Sequence, residues 1–182
     1  NSEEFCGWLD KAFSRKTQMV RVKERPVPLA HFVYSHNHWL AMEDIPLGMR
    51  KRFDQKLLKM PLPQRFIAQQ IPEAERLKLT PMILYSGRRL GCENLAFEIT
   101  KTIEPLPKER RERLAELSKK TRYLEIGMDL MPPRLKKMML TYGVAYHHSG
   151  LSPNTSIVIE SLLKDGELDY CVATMGLSLG IK

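Results

Sequence analysis

The stretch GVAYHHSGLSPNTSIVIESLLKDGELDYCVAT, residues 143–174, carries the clearest secondary-structure pattern in the chain. Its first residues form a short apolar run that predicts a β-strand. A helix is predicted from Pro153 to Lys164, because Ser152 is a good N-cap and proline suits the first turn of a helix. The run LDYCVAT at 168–174 predicts a second strand. A strand, a helix and a strand joined by short loops indicate a parallel α/β unit.

The sequence before this unit continues the same alternation. MILYS at 82–86 is a compact apolar run and predicts a strand buried on both faces. Apolar residues three and four apart predict an amphipathic helix over 90–103, and a helix that begins at proline is predicted over 132–143. The charged segment 108–120 predicts an outer helix in contact with solvent. We therefore predict an α/β fold in which helices flank a parallel β-sheet.

Composition narrows the class of protein. With 182 residues, 43% of them hydrophobic, the chain is long enough for one domain with an apolar core. No window approaches the ~18 consecutive apolar residues of a membrane span, and no secretory leader is visible. The cysteines, Cys6, Cys92 and Cys171, are odd in number and far apart, which indicates free thiols in a reducing compartment, cytoplasmic or nuclear. The net charge of +8 favours a polyanionic partner such as nucleic acid.

The adjacent pair His147 and His148 is open to catalytic, metal-binding and structural interpretations. Neighbouring residues on a strand point to opposite faces, so the pair is poorly placed to bind one metal ion. His36 and His38 share a face, but no third ligand lies nearby in the sequence. A serine nucleophile needs a Gly-x-Ser-x-Gly elbow, which this turn lacks, and no GxxxxGK[ST] or GxGxxG phosphate loop occurs. We therefore predict no metal site and no catalytic residue in this chain.

Three loops follow the predicted strands: SGRR at 86–89, HHSGL at 147–151 and TMGLSLG at 174–180. Sheets of this type place their working loops at the carboxyl ends of the strands. Each loop combines hydroxyl, glycine and N–H groups, which suits phosphate oxygens, and Arg88 and Arg89 add positive charge. Such contacts read the backbone of a nucleic acid rather than its sequence. The alternative is that the loops are ordinary turns between strands and helices.

The order of these motifs resembles the second motor domain of the superfamily-two DExH-box helicases, specifically the superkiller-like group. GVAYHHSGLSP and the following ESLLKDGELDYCVATMGLSLGIK are similar to that group's HHAGL turn and motif V. PMILYSGRRLGCENLA is similar to motif IV, and NSEEFCGWL with RPVPL is similar to the segment after motif III. The resemblance is collinear along almost the whole chain. It implies that residues 1–35 end a first RecA-like domain and its connecting arm, that 36–80 form a linker or insertion, and that 81–182 form a second RecA-like domain truncated at its C-terminal end.

The resemblance also implies a set of nucleic-acid-binding residues. Ser86 and Arg88 of motif IV and Thr174 of motif V would contact the phosphates of the bound strand. His148 and Gly150 would belong to the same site by shaping the adjoining turn. The partner would be single-stranded or double-stranded DNA or RNA, which runs across this domain and the first RecA-like domain.

ATP and Mg²⁺ are the cofactors that the resemblance implies for the full-length motor, with Gly180 approaching the ATP cleft. The chain departs from the family in motif V, where Gly176 replaces a usual threonine and Lys182 replaces a usual asparagine or aspartate. Beginning at Asn1 without methionine, the chain is expected to be a fragment. The Walker lysine, the DExH carboxylate and the arginines of motif VI would lie outside it.

We therefore expect the parent protein to be an ATP-dependent DNA or RNA helicase, and the chain alone to hydrolyse no ATP. One alternative is a non-catalytic, helicase-derived module that binds nucleic acid or protein. Another is an α/β enzyme that uses His147 or His148 as a base, which would require a pocket at the HHSGL turn.

Overall fold

The computed structural model describes residues 2–20, 30–35, 38–45 and 64–176. The chain divides into two compact units, Asn1–Pro61 and Leu62–Lys182. Within the described ranges no helix combines the length and the apolar character that crossing a membrane requires.

The first unit contains a helix and a strand pair. Helix α1 covers Ser2–Phe13 and carries acidic residues in its first turn, where they complement the positive end of the helix dipole. Strands β1 (Phe32–Ser35) and β2 (His38–Ala41) pair antiparallel, and a 3₁₀ turn follows at Met42–Asp44. Proline-free backbone in both strands leaves every N–H available to the ladder.

The second unit alternates helices and parallel strands, so the predicted α/β fold is confirmed. Its elements in chain order are α2 (Gln64–Ala68), α3 (Ile71–Arg76), β3 (Met82–Tyr85), α4 (Arg89–Ile99), α5 (Lys108–Leu117), α6 (Arg122–Asp129), α7 (Pro133–Tyr142), β4 (Val144–His147), α8 (Pro153–Lys164) and β5 (Tyr170–Ala173). The described strands of this unit form one parallel sheet in the order β3-β5-β4. β5 lies between two strands that precede it in the chain. Consecutive strands of this unit are parallel, so each is joined to the next by a crossover segment that contains helices.

Helices cover the sheet on both faces. α4 packs on β4 and β5, α7 on β4, and α6 packs against α8. The fully buried strand β5 lies at the centre of the described sheet, and its residues form the middle of the core. The largest fully buried side chains of the core are Tyr170, Ile99, Leu114, Met128, Leu135, Met139, Ile159, Leu162, Leu168, Val144, Val158 and Val172.

Strand β3 differs from its prediction, because it is buried on one face only. Ile83 and Tyr85 remain 37% and 49% exposed, whereas the alternate residues Met82 and Leu84 pack against the core. The strand has β5 on one side and lies at the end of the sheet formed by the described residues. An apolar run predicts a strand but does not reveal how many of its faces are covered.

Helix α6 was absent from the sequence-based prediction. The Thr121 hydroxyl caps it by accepting the Leu124 N–H at 3.4 Å. Its Gly127 lies where a Cβ atom would collide with the backbone carbonyl of Asn154 and come within 2.5 Å of Val158. The buried Thr155 hydroxyl donates to the Gly127 carbonyl at 3.2 Å. Gly127 therefore allows the backbones of α6 and α8 to approach closely.

The charged helix α5 lies on the outside of the unit, as its composition indicates. Leu114 alone among its residues is fully enclosed, while Arg110 forms a two-pronged ion pair with Asp169 at 2.9 Å for both contacts. Arg113 pairs with Glu167 at 2.6 Å. These contacts attach α5 to the loop that leads into β5, at the amino edge of the sheet.

The three cysteines are unpaired, and two of them lie in the core. Burial raises the pKa of the Cys171 thiol to about 12. Burial also raises the pKa of Cys92. Both thiols therefore stay protonated at neutral pH and act as small apolar side chains rather than as nucleophiles.

Candidate nucleic-acid interface

The ends of the parallel strands bring the predicted loops together. Tyr85, Ala173 and His147 are register partners across β3, β5 and β4. The ladder continues one step further, because the Ser86 N–H donates to the Ala173 carbonyl at 2.9 Å and the Thr174 N–H donates to the His147 carbonyl at 3.1 Å. Ser86, Thr174 and the residue after His147 therefore follow one another along the carboxyl edge of the sheet.

The loop after β3 presents positive charge and free donors. Arg88 is the N-cap residue of α4 in an extended conformation, and its side chain makes no capping hydrogen bond. The backbone N–H groups in the first turn of α4 can therefore donate hydrogen bonds to a phosphate oxygen. Arg88 and Arg89 are exposed, and neither pairs with an acidic side chain of the described residues.

Ser86 lies against the first turn of α4. Its hydroxyl is 3.4 Å from the Arg88 carbonyl, which is a weak hydrogen bond. A Cβ atom at Gly91 would collide with the Ser86 hydroxyl oxygen, so the glycine provides the space in which that hydroxyl lies. The same hydroxyl also interacts with the Cys92 thiol, so a ligand oxygen would compete with these internal partners.

The turn after β4 is organised around the imidazole of His148. Its Nδ1 accepts the Gly150 N–H at 3.1 Å, and its Nε2 lies 3.1 Å from a carboxylate oxygen of Glu93 on α4. The ring stacks on Tyr146 with 5.3 Å between centroids, and the residue is only 4% exposed. Both ring nitrogens have partners inside the protein, so His148 shapes the turn and has no ring nitrogen left for a ligand.

The turn also touches the loop after β3. A Cβ atom at Gly150 would lie 3.1 Å from Nδ1 and 3.2 Å from Cε1 of His148, and 3.5 Å from Cδ of Arg89. The loop after β3 and the turn after β4 therefore lie next to one another. A Cβ atom at position 150 would therefore be too close to the imidazole unless the ring or the backbone of the turn shifted by a few tenths of an ångström.

His147 points to the opposite face of the sheet from His148. Its Nε2 lies 2.9 Å from a carboxylate oxygen of Glu160 on α8, whereas His148 contacts α4. Its buried Nδ1 has no hydrogen-bond partner among the described residues. The prediction that adjacent histidines diverge is confirmed. In the part of the chain that the structure describes, no cluster of three or more His, Cys, Asp or Glu side chains is arranged to hold a metal ion.

Thr174 lies at the end of β5 in the middle of this edge and is partly exposed. Gly176 lies two residues on, where a Cβ atom would be 3.9 Å from the Thr174 hydroxyl, an ordinary contact distance. Gly180 and Lys182, like His36, lie outside the described residues. The roles predicted for Ser86, Arg88, Thr174 and Gly180 stay predictions.

A separate groove of about 640 Å³ lies between α2 and the end of α4. Its walls are formed by Gln64, Arg65, Ala68, Gln69, Glu98, Lys101 and Thr102. No residue of the HHSGL turn lines it, so this groove offers nothing to an enzyme that would use one of the two histidines as a base.

Glu93 and Glu160, which pair with the two adjacent histidines, were not among the residues named from the sequence. Each pairs with one of the two histidines, from helices on opposite faces of the sheet. Glu93 lies within the quoted CENLA segment, whose resemblance to motif IV was the available signal. Its partner is 55 residues away, and only the folded topology joins them.

Comparisons with known proteins agree with this arrangement. No protein-family model matches the sequence. The DExH-box ATP-dependent RNA helicase DExH9 of Arabidopsis thaliana is 25% identical over 215 residues, which cover 100% of this chain and 21% of that protein. The ATP-dependent RNA helicase mtr4 of Schizosaccharomyces pombe is 25% identical over 220 residues, which cover 100% of this chain and 19% of that protein. Superkiller complex protein 2 of Homo sapiens is 22% identical over 212 residues, which cover 100% of this chain and 17% of that protein.

The chain thus spans about a fifth of the length of these curated relatives. The similarity extends over all of it at low identity. The predicted resemblance is confirmed: the chain is related along its whole length to the DExH-box helicases of superfamily two, and it fits their superkiller-like group.

Proposed function

We propose that the chain is the second RecA-like domain of an ATP-dependent helicase and that the carboxyl edge of its sheet binds the phosphates of a nucleic-acid strand. The observation that carries the proposal is the side-by-side placement of Ser86, Thr174 and the His148 turn along one sheet edge. Two of the relatives are RNA helicases by name, so RNA is the strand that we propose.

The chemistry of the edge supports contact with phosphate oxygens. The hydroxyls of Ser86 and Thr174 and the uncapped N–H groups of α4 are donors, and Arg88 supplies charge that attracts the polyanion. The donors come from strand ends that the ladder aligns, so they share one rigid frame. A motor could release and regain such contacts as the frame moves relative to a second domain.

ATP and Mg²⁺ would bind in the full-length motor and supply the free energy for movement along the strand. Gly180, the residue predicted near the ATP cleft, lies outside the described residues, and we place no described group at the nucleotide. The contribution that we propose for this chain is therefore the grip on phosphates and one side of the cleft.

Phosphate binding is tested by fluorescence-anisotropy titration of the chain with labelled single-stranded RNA and DNA. We expect the affinity to fall by roughly tenfold or more between about 50 and about 200 mM salt, because bound phosphates release counterions. Arg88→Ala should weaken binding and reduce the slope of log K against log salt by about 0.7, the value for one phosphate of a single strand. Ser86→Ala and Thr174→Ala should weaken binding without changing the slope.

The matched control is Arg111→Ala, which removes the same charge from an exposed position on the outer helix α5. It should leave binding close to that of the unmodified chain. Equal losses in the Arg88 and Arg111 variants would contradict a site at the sheet edge, and affinity indifferent to salt would contradict phosphate binding altogether. Tighter binding of DNA than of RNA would overturn the choice of RNA.

The chain alone is expected to hydrolyse no ATP. Phosphoryl transfer needs a phosphate cradle, a carboxylate that holds the metal and usually an arginine, and the sequence has neither GxxxxGK[ST] nor DExH. The measurement is Mg²⁺-dependent phosphate release by the purified chain, with and without RNA, beside the full-length parent as a positive control. Turnover by the chain would contradict this prediction. An inactive parent would favour a non-catalytic binding module.

A further inference from the structure

We infer that Glu93 is a positioning residue of the nucleic-acid site: its carboxylate selects the tautomer of His148 that holds the Gly150 turn in place. The link is a chain of two hydrogen bonds, from Nε2 of His148 to Glu93 and from the Gly150 N–H to Nδ1 of the same ring. The effect on binding rests on the proposed function, whereas the effect on the tautomer does not.

The hydrogen-bond partners determine the tautomer. A backbone N–H only donates, so Nδ1 of His148 must carry a lone pair to accept from Gly150. In a neutral imidazole the proton then lies on Nε2, where it is donated to the Glu93 carboxylate. The other neutral tautomer would place a hydrogen on Nδ1 against the Gly150 N–H and would leave Glu93 without its donor.

The ring can transmit this preference because its position is confined. His148 is 4% exposed and stacks on Tyr146 with an angle of 11° between the ring planes. The Gly150 N–H lies 3.1 Å from Nδ1 of the imidazole, and a Cβ atom at this position would lie 3.5 Å from Cδ of Arg89. Loss of the Gly150 hydrogen bond would therefore let the turn shift where it meets the basic loop.

The neighbouring pair His147 and Glu160 provides an internal control. It has the same chemistry, with 2.9 Å between Nε2 and the carboxylate oxygen, on the other face of the sheet. Its Nδ1 has no partner among the described residues, so the pair holds no loop N–H. Removing Glu160 thus removes a histidine–glutamate hydrogen bond without freeing the turn.

The experiment combines NMR of isotope-labelled histidine with RNA titration, using the whole 182-residue chain. Long-range proton–nitrogen spectra report which ring nitrogen of His148 carries the proton. We expect Nδ1 to be unprotonated in the unmodified chain, and Glu93→Ala to give a mixture of tautomers and a shifted Gly150 amide signal. Glu93→Gln should preserve the tautomer, because the amide oxygen still accepts from Nε2–H.

In the titrations we expect Glu93→Ala to weaken RNA binding by about tenfold, the factor that corresponds to about 1.4 kcal/mol. Glu93→Gln and Glu160→Ala should stay within about twofold of the unmodified chain. A proton on Nδ1 in the unmodified chain would overturn the inference, as would an unchanged tautomer in Glu93→Ala. Should Glu93→Ala fail to fold, the unmodified chain and Glu93→Gln still decide the tautomer. A shifted tautomer in a chain that binds no RNA would uphold the inference and refute the proposed function.

Discussion

Replacing Gly127 by alanine is expected to lower the free energy of unfolding of the second unit by about 2–3 kcal/mol, because the added Cβ overpacks a tight helix contact. The Cβ atom would collide with the carbonyl oxygen of Asn154, and it would lie 2.5 Å from Val158. A backbone carbonyl inside a helix cannot rotate aside as a flexible side chain can. The collision outweighs the ~1 kcal/mol that alanine gains over glycine in helix propensity.

The measurement is the thermal unfolding midpoint, which we expect to fall by roughly 5–10 °C. Gly91→Ala is the matched control, since Gly91 also lies inside a helix of the same unit but its Cβ would meet side-chain atoms of Ser86 and Gln64 rather than backbone, and the Ser86 hydroxyl can rotate away. It should change the midpoint by less than half as much. If both variants unfolded at the same temperature as the unmodified chain, the helix contact would not be as close as described.

Replacing Gly150 by alanine is expected to weaken RNA binding by about fivefold to tenfold, equivalent to about 1 kcal/mol or slightly more. The added Cβ would lie 3.1 Å and 3.2 Å from two atoms of the His148 ring. The ring is held between Tyr146 and Glu93, so the backbone of the turn must yield instead. The turn would then shift away from Arg89 and from the proposed path of the strand.

Anisotropy titration and thermal unfolding should be measured on the same preparation. We expect the unfolding midpoint to move by only a few degrees, because the turn lies at the edge of the core rather than inside it. Gly7→Ala adds the same methyl group to α1, where no atom of the described residues outside that helix lies within 4 Å of the new Cβ, and it should leave RNA binding unchanged. Full RNA affinity in the Gly150 variant would contradict the role of the turn.

Local capping made several elements predictable from the sequence. The helix Pro153–Lys164 has the predicted bounds, because the Ser152 hydroxyl accepts the Thr155 N–H at 3.1 Å and proline occupies the first turn. The helix before β4 ends at Gly143, whose φ of +67° is the left-handed conformation that glycine adopts without strain. Both signals lie within a few residues of the boundary that they set.

Elements that depend on distant contacts were not predictable. In the sequence, the glycine of α6 resembles a helix breaker. A glycine is required there because α8 packs closely against it, and the contacting Asn154 lies 27 positions further along the chain. β3 was expected to be buried on both faces, yet the exposure of Tyr85 depends on which helices cover the end of the sheet. The pattern of apolar residues alone predicts neither the close contact between α6 and α8 nor the exposed face of β3.

The loops of the candidate site could be predicted from the sequence, but the glutamates that pair with its histidines could not. Parallel topology brings the loops after the strands to one edge, so Ser86, Thr174 and the His148 turn were expected there. Glu93 and Glu160 escaped prediction because their histidine partners lie 55 and 13 residues away. Hydrogen bonds between separate elements leave no periodic trace in a sequence.

The paired histidines at the end of β4 have a mechanical consequence. One is tied to a helix above the sheet and the next to a helix below it, through Glu160 and Glu93. The end of the strand is therefore attached to both helical layers, one through each histidine side chain. In the function that we propose, a nucleic-acid strand pulling on this edge would act on both helical layers as well as on the loop.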